Sequence, residues 1–120
     1  MTLEEILDTL LDGIENTEHV EESAIASRDG LIICSKCQKK YYIETVVAMS
    51  AILYKSAETA SSGIGKEIPD RVIVESKKGK IITTGAGEKA ILIVITKPDV
   101  CLVSVLNEIE KASEKIKKVL

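Results

Sequence analysis

A helix that is apolar on two sides is the feature that most limits how this chain can fold. Residues 42–64 contain no proline, and their first glycine is Gly63. At about 100° per residue, two sets of apolar and small side chains run along roughly opposite sides of the predicted helix. The first set is Ile43, Val46, Val47, Ser50, Tyr54, Ala57, Ser61 and Ile64. The second set, named here the outer stripe, is Thr45, Met49, Ile52, Leu53, Ser56 and Ala60.

Such a helix needs a partner on each of its apolar sides. A helix on the surface of a globular protein normally shows one apolar stripe and a wide polar face. Here the charged residues Glu44, Lys55 and Glu58 crowd into a narrow arc between the two stripes. In a short chain we expect one partner to be the protein's own sheet and the other to be a second copy of the chain. A central helix enclosed within one molecule is the alternative.

Length and charge restrict the class of protein. A chain of 120 residues predicts a single domain over 1–120. The net charge of −3 is spread along the chain and argues against a general nucleic-acid or membrane-surface binder. Two groups of lysines, Lys36, Lys39 and Lys40 and then Lys77, Lys78 and Lys80, are interpreted as solvated turns.

The chain carries no pattern that predicts secretion or membrane insertion. Its first residues are acidic, unlike a signal peptide. The longest apolar run, Ala90–Ile95, is far shorter than the ~20 residues that a membrane-spanning helix needs. Three cysteines, an odd number, fit a reducing compartment better than a disulfide framework. We therefore expect a cytoplasmic protein.

Hydrophobic periodicity and turn residues predict the order α-β-β-α-β-β-β-α. The first helix covers Leu3–Ile14, with Thr2 and Glu5 in the spacing of a capping box. The later elements are the strands Ser23–Ser27 and Leu31–Ser35, the helix 42–64, the strands Arg71–Ser76, Lys80–Thr84 and Ala90–Thr96, and the helix Val100–Val119.

The predicted fold class is α+β, with a five-stranded antiparallel sheet. The strand Ala90–Thr96 is apolar at almost every position, so we expect it in the middle of the sheet with both faces covered. The helix 42–64 would cover one face, and the two terminal helices, each with a single apolar stripe, would cover the other.

This order, together with particular residues, resembles the roadblock/dynein light-chain family. Residues 24–33 read AIASRDGLII, a small apolar strand, a turn and a second apolar strand. The similarity continues through VIVE at 72–75, GKII at 79–82, Gly87 and AILIV at 90–94, and ends in the helix from Leu102 to Ile116.

The resemblance implies a roadblock-like, profilin-like sandwich without a catalytic centre or cofactor of its own. It further implies a homodimer or heterodimer in which the third strands of two copies pair and the two middle helices pack together. Such domains serve as scaffolds in motor complexes and as platforms or regulators of Ras-like small GTPases. The resemblance therefore implies a non-enzymatic dimeric scaffold whose partner is a small GTPase or another signalling or motor protein.

The residues themselves point to the same dimer surface. The strand Arg71–Ser76 is predicted to lie at an edge, and an exposed edge is a template for another chain. We predict strand pairing through Val72, Ile73 and Val74, and helix contacts through the outer stripe.

Two other functions stay open at this point. Cys34 and Cys37 form a CxxC pair that would suit a redox site or half of a zinc site, although no second pair exists. A small-ligand sensor of the profilin-like type is the other alternative. Ser62–Lys66 resembles a phosphate loop only faintly and is interpreted as a helix cap. His19, the sole histidine, is expected to be exposed to solvent, and no catalytic arrangement is recognisable.

Overall fold

The structure, a computed structural model, describes residues 1–37 and 40–120. The helices are α1 (Leu3–Glu15), α2 (Lys40–Gly63) and α3 (Leu102–Val119). The strands are β1 (Val20–Ser27), β2 (Ile32–Lys36), β3 (Arg71–Ser76), β4 (Gly79–Ala86) and β5 (Ala90–Thr96). Lys39 of the predicted basic loop lies outside the described residues, as does the side chain of Lys40.

The five strands form one antiparallel sheet in the order β2-β1-β5-β4-β3. The predicted order of elements and the predicted fold class are confirmed. β5 occupies the centre, as its continuous apolar run predicts, while β2 and β3 are the two edges. β1 and β4 are each longer than predicted because their pairing with β5 continues to Val20 and Ala86.

Two separate apolar clusters cover the two faces of the sheet. The terminal helices α1 and α3 pack on one face, where Leu11 and Ile109 meet Leu92 and Val94 of β5; we call this the terminal-helix face. α2 packs on the opposite face, where Val47 and Tyr54 meet Ile91 and Ile93; we call this the α2 face. Side chains alternate along a strand, so β5 supplies both clusters from successive residues.

The capping residues predicted from the sequence form caps at the start of α1 and at the end of α2. The Thr2 hydroxyl accepts a hydrogen bond from the Glu5 backbone N–H at 3.2 Å, which caps α1. After α2, Gly65 adopts a φ of 72°. Its N–H donates to the Ser62 carbonyl at 3.1 Å and the Lys66 N–H donates to the Ser61 carbonyl at 2.9 Å. This pair of bonds is a Schellman cap, so the glycines of Ser62–Lys66 end a helix.

Candidate protein-interaction surface

The outer stripe of α2 faces away from the sheet. Met49, Ile52 and Leu53 are 51%, 57% and 44% exposed, and Thr45 and Ser56 are also exposed. Ala60 continues the exposed row toward the end of the helix. Contiguous apolar side chains that remain in water mark an interaction surface more often than scattered ones do. Among the residues that the structure describes, the stripe therefore has no cover.

The opposite side of α2 is the one that holds the helix on the sheet. Ile43, Val47, Ser50 and Tyr54 are buried there, as the first set predicts. Ala51 is also buried, although it belongs to neither predicted stripe. Ile64, assigned to the buried set, is 73% exposed because α2 ends at Gly63 and the chain turns away.

The edge strand β3 is regular along its whole length. Its six residues pair with six of β4, from Arg71 opposite Thr84 to Ser76 opposite Gly79, without a shift in register. Val72 is half-buried against the α2 cluster, and Ile73 is half-buried against the terminal-helix cluster. Val74, on the same side of the strand as Val72, is 37% exposed. β3 therefore offers a regular edge, and α2 contacts this strand.

The other edge strand, β2, is interrupted. Ile25 of β1 lies opposite Cys34, but Ala26 lies opposite Ile32, so Ile33 has no residue facing it. This extra residue is a β-bulge, which twists an edge and weakens it as a template for another strand. Of the two edges, β3 is the one whose geometry suits addition of a further strand.

A polar cluster fastens α2 to one end of the sheet. Arg28, in the turn after β1, donates from Nη2 to the Gly87 carbonyl and lies 3.5 Å from the Glu58 carboxylate. The Tyr54 hydroxyl donates to the Pro69 carbonyl at 2.9 Å. Burial raises the pKa of the Tyr54 phenol. These contacts join α2, two turns and the segment before β3, so they fix where the outer stripe lies.

Sequence reasoning missed this cluster. It treated Arg28 only as part of a turn and Tyr54 only as part of an apolar stripe. A usable signal was present, since Tyr54 is the one aromatic residue in a stripe of otherwise aliphatic and small side chains. A buried tyrosine normally finds a partner for its hydroxyl.

The two cysteines of the CxxC pair lie on opposite faces of the sheet. Cys34 packs against the terminal-helix cluster and Cys37 against the α2 cluster. The Cys37 sulfur lies 2.8 Å from the Glu22 carboxylate. Burial raises the pKa of the Cys34 thiol. In the part of the chain that the structure describes, no three His, Cys, Asp or Glu side chains are grouped so that they could hold a metal ion.

His19 is less exposed than expected. Its side chain is 30% exposed, and its ring nitrogens lie 3.4 Å from the Glu18 carboxylate and 3.6 Å from that of Asp99. Its backbone adopts a φ of 71°, and its carbonyl accepts a hydrogen bond from the Lys97 N–H at 2.8 Å. The connector between α1 and β1 thus folds back onto the end of β5, which covers part of the ring.

Across residues 1–37 and 40–120, no helix has the length and apolar character to cross a bilayer.

Comparison of the sequence with known proteins shows which family the chain resembles. The Roadblock/LC7 domain family model matches residues 6–96. MJ0714, an uncharacterized protein of Methanocaldococcus jannaschii, is 32% identical over 115 residues, which cover 96% of this chain and 97% of the relative. MJ1340 of the same organism is 31% identical over 112 residues, which cover 93% of this chain and 97% of the relative.

Solved structures show the same fold. A Roadblock/LC7 domain from Streptomyces avermitilis superposes with a TM-score of 0.85 at 19% identity, covering 92% of this chain and 94% of that one. The gliding protein mglB from Thermus thermophilus gives 0.85 at 16% identity, covering 97% and 89%. Profilin II of Acanthamoeba castellanii gives 0.63 at 21% identity and covers 98% of both chains. The resemblance inferred from the sequence is confirmed.

Proposed function

Because this chain belongs to the Roadblock/LC7 domain family, we propose that it is a non-enzymatic regulatory and scaffold domain that works as a homodimer. The single observation that carries the proposal is that two elements in contact each leave a feature uncovered among the described residues. The outer stripe of α2 is exposed, and β3, which α2 contacts, is a regular edge strand. A second copy would cover both features at once.

The energetic argument for a dimer rests on the outer stripe. Burial of apolar surface stabilises by roughly 25 cal/mol per Å². Met49, Ile52 and Leu53 each leave about half of their surface in water in the single chain. Packing the outer stripes of two copies together would remove this surface from water without moving the sheet. Thr45, Ser56 and Ala60 are small and would let the two helices approach closely.

We propose that the partner of the dimer is a Ras-like small GTPase or a related signalling or motor protein. The support is membership of the Roadblock/LC7 domain family, together with a fold shared with the gliding protein mglB. The dimer would act by holding or reshaping its partner. We place it in the cytoplasm as one domain over residues 1–120, which suits its odd number of cysteines.

The dimer is tested by two matched charge insertions. Leu53→Glu puts a carboxylate in the outer stripe, whereas Val103→Glu puts one at a 72% exposed position on α3, away from the stripe. By sedimentation velocity at micromolar concentration, we expect a dimer for the wild type and for Val103→Glu, and a folded monomer for Leu53→Glu. A wild-type particle of 13.0 kDa would contradict the proposal.

The partner is tested by capture from the native host. Wild-type protein and Leu53→Glu are used as bait in extracts supplemented with either GDP or a non-hydrolysable GTP analogue. We expect a small GTPase on the wild-type bait in a nucleotide-dependent amount, and less of it on the monomeric bait. Native mass spectrometry of the purified protein checks the alternatives, because a bound metabolite or metal ion would favour a sensor or a metal site.

A further inference from the structure

We infer that the paired β3 strands of the proposed homodimer take one register, centred on Ile73 and set by Arg71 and Glu75, and that these two charges select a second copy of this chain. The inference rests on the proposed dimer, whose β3 pairing the family resemblance already implies, and adds the register of that pairing and the two charge pairs that fix it. The strand reads Arg-Val-Ile-Val-Glu over residues 71–75, with opposite charges at equal distances from a central isoleucine. Such a strand is complementary to itself when two copies run antiparallel.

The hairpin fixes which backbone groups of β3 are open. Ser76 and Gly79 pair across the two-residue turn Lys77-Lys78. A turn of this length is closed by a hydrogen bond between its first and fourth residues, so Ser76 directs its backbone groups to β4. The direction alternates along an antiparallel strand. Arg71, Ile73 and Glu75 therefore direct their N–H and carbonyl groups outward, where no strand follows in the sheet.

Only a few symmetric registers use these outward groups. In a twofold antiparallel pair the axis passes through one residue, and outward residues must face outward residues. An axis at Ile73 places Arg71 opposite the partner's Glu75, twice, and Ile73 opposite the partner's Ile73. All three outward residues then exchange backbone hydrogen bonds.

The neighbouring registers give less favourable charge pairs or lose backbone hydrogen bonds. An axis at Val74 places Arg71 opposite the partner's Lys77, which brings like charges together. An axis at Val72 places Glu75 opposite the partner's Pro69, which has no N–H to donate. An axis at Arg71 sets Arg71 against the partner's Arg71, and an axis at Glu75 sets Glu75 against the partner's Glu75. Like charges directly opposite destabilise a strand pair, while opposite charges stabilise it.

The two charges are available for a second chain. Among the described residues, neither Arg71 nor Glu75 takes part in a salt bridge. Lys80, which lies opposite Glu75 on β4, donates instead to the Pro98 carbonyl at 3.0 Å. Arg71 lies opposite Thr84, whose hydroxyl is uncharged. Period-two alternation places Arg71, Ile73 and Glu75 together on the terminal-helix face.

This arrangement selects the second copy. A related chain whose strand lacks the opposite charges at these two positions would meet β3 with unpaired or like charges, and such mismatches give specificity at an interface. On the α2 face the same register sets Val72 against the partner's Val74. It thus covers Val74, which is 37% exposed in the single chain.

Charge exchange tests the selection. Arg71→Glu and Glu75→Arg each place like charges opposite in their own homodimer, but a mixture of the two variants restores both attractive pairs. We expect each variant alone to dimerise roughly tenfold more weakly than wild type. The mixture should be mainly heterodimer by native mass spectrometry, and the double variant Arg71→Glu/Glu75→Arg should dimerise like wild type. The control pair Lys97→Glu and Glu21→Arg, at exposed positions away from β3, should mix at random.

Disulfide trapping tests the register directly, in a background with Cys34→Ala, Cys37→Ala and Cys101→Ser. With the axis at Ile73, Val72→Cys should cross-link to Val74→Cys in a mixture, and neither variant should cross-link with itself. Self-linking of Val74→Cys alone, or of Val72→Cys alone, would move the axis to that residue and overturn the inference.

Failure of the inference differs from failure of the proposed dimer. If the wild type is monomeric by sedimentation, the dimer itself is refuted. If the wild type is a dimer but the charge variants mix at random, the dimer stands and the role of Arg71 and Glu75 is refuted.

Discussion

The guanidinium carbon of Arg28 lies 5.2 Å from the centroid of the Tyr54 ring. A cation over an aromatic face at this distance is attracted by the ring's quadrupole. The same two side chains also bond to the carbonyls of Gly87 and Pro69. The pair therefore connects α2 to the β4–β5 turn and to the segment before β3, and so links the two parts of the proposed interface.

The first prediction concerns this pair. We expect Tyr54→Phe to lower the free energy of unfolding by about 1 kcal/mol, because it removes one hydrogen bond and keeps the ring. A double-mutant cycle with Arg28→Ala and Tyr54→Leu should give a coupling of about 0.5–1 kcal/mol. Urea unfolding measures both quantities. Tyr42→Phe, at a 50% exposed position, is the control and should change little. Strictly additive effects of Arg28→Ala and Tyr54→Leu would mean that the stacked contact contributes nothing.

The second prediction concerns Glu15, whose carboxylate accepts a hydrogen bond from the Ser23 hydroxyl at 3.0 Å. Burial raises the pKa of Glu15 above its ordinary value, more than the Ser23 bond lowers it. The folded protein therefore binds this proton more tightly than the unfolded chain, and the carboxylate reduces stability as pH rises through its folded pKa.

Glu15→Gln removes the partly buried charge and keeps an oxygen that can accept a hydrogen bond from Ser23. We expect the variant to be more stable than wild type at pH 7, with the difference shrinking as pH falls below the ordinary pKa of a glutamate. Urea unfolding at pH 7 and at pH 4 measures the difference between variant and wild type, so that other carboxylates cancel. A difference that grows toward low pH would contradict the assigned direction.

Periodicity predicted most of the fold because each element has one dominant pattern. Of the two stripes of α2, the one with Val47 is buried on the sheet and the one with Ile52 is exposed. Both stripes were recognisable in the sequence from the helical period of 3.6 residues. β5 was placed in the centre because it does not alternate. These features are local, so a single stretch of sequence carries them.

Features that depend on distant residues could not be predicted in the same way. The bulge at Ile33 arises from the register between β1 and β2, and the run Leu-Ile-Ile at 31–33 gives no alternation that would fix that register. The contacts of Arg28 with Glu58 and Gly87 join residues 30 and 59 positions apart. No spacing rule relates such positions.

The third prediction concerns the order in which the thiols react. Cys101 is exposed at the start of α3, and the Ser104 hydroxyl lies 3.3 Å from its sulfur and lowers its pKa. Cys34 is partly buried and its pKa is raised. Because the thiolate is the reactive form, an aromatic disulfide reagent should modify Cys101 first and Cys34 much later. Mass spectrometry of timed samples identifies the sites.

Ser104→Ala should slow modification of Cys101 and leave the rate at Cys34 unchanged. Mild oxidation should not join Cys34 to Cys37, because the two side chains pack on opposite faces of the sheet. An intramolecular disulfide between them in folded protein would revive the redox hypothesis.

The last prediction compares a glycine in the last turn of α1 with a glycine just after the end of α2. A Cβ at Gly13, inside α1, would meet no atom within 4 Å, and its φ is not positive. Gly13→Ala should therefore raise the free energy of unfolding by about 0.5–1 kcal/mol, since alanine favours the helix. Gly65 also has open space around it, but its φ of 72° is strained for any side chain, so Gly65→Ala should lower stability by about 1 kcal/mol. Because neither new Cβ meets another atom, a difference in thermal unfolding between the two variants reports the backbone conformation and not a steric clash. Equal effects of the two substitutions would show that the Schellman cap contributes little.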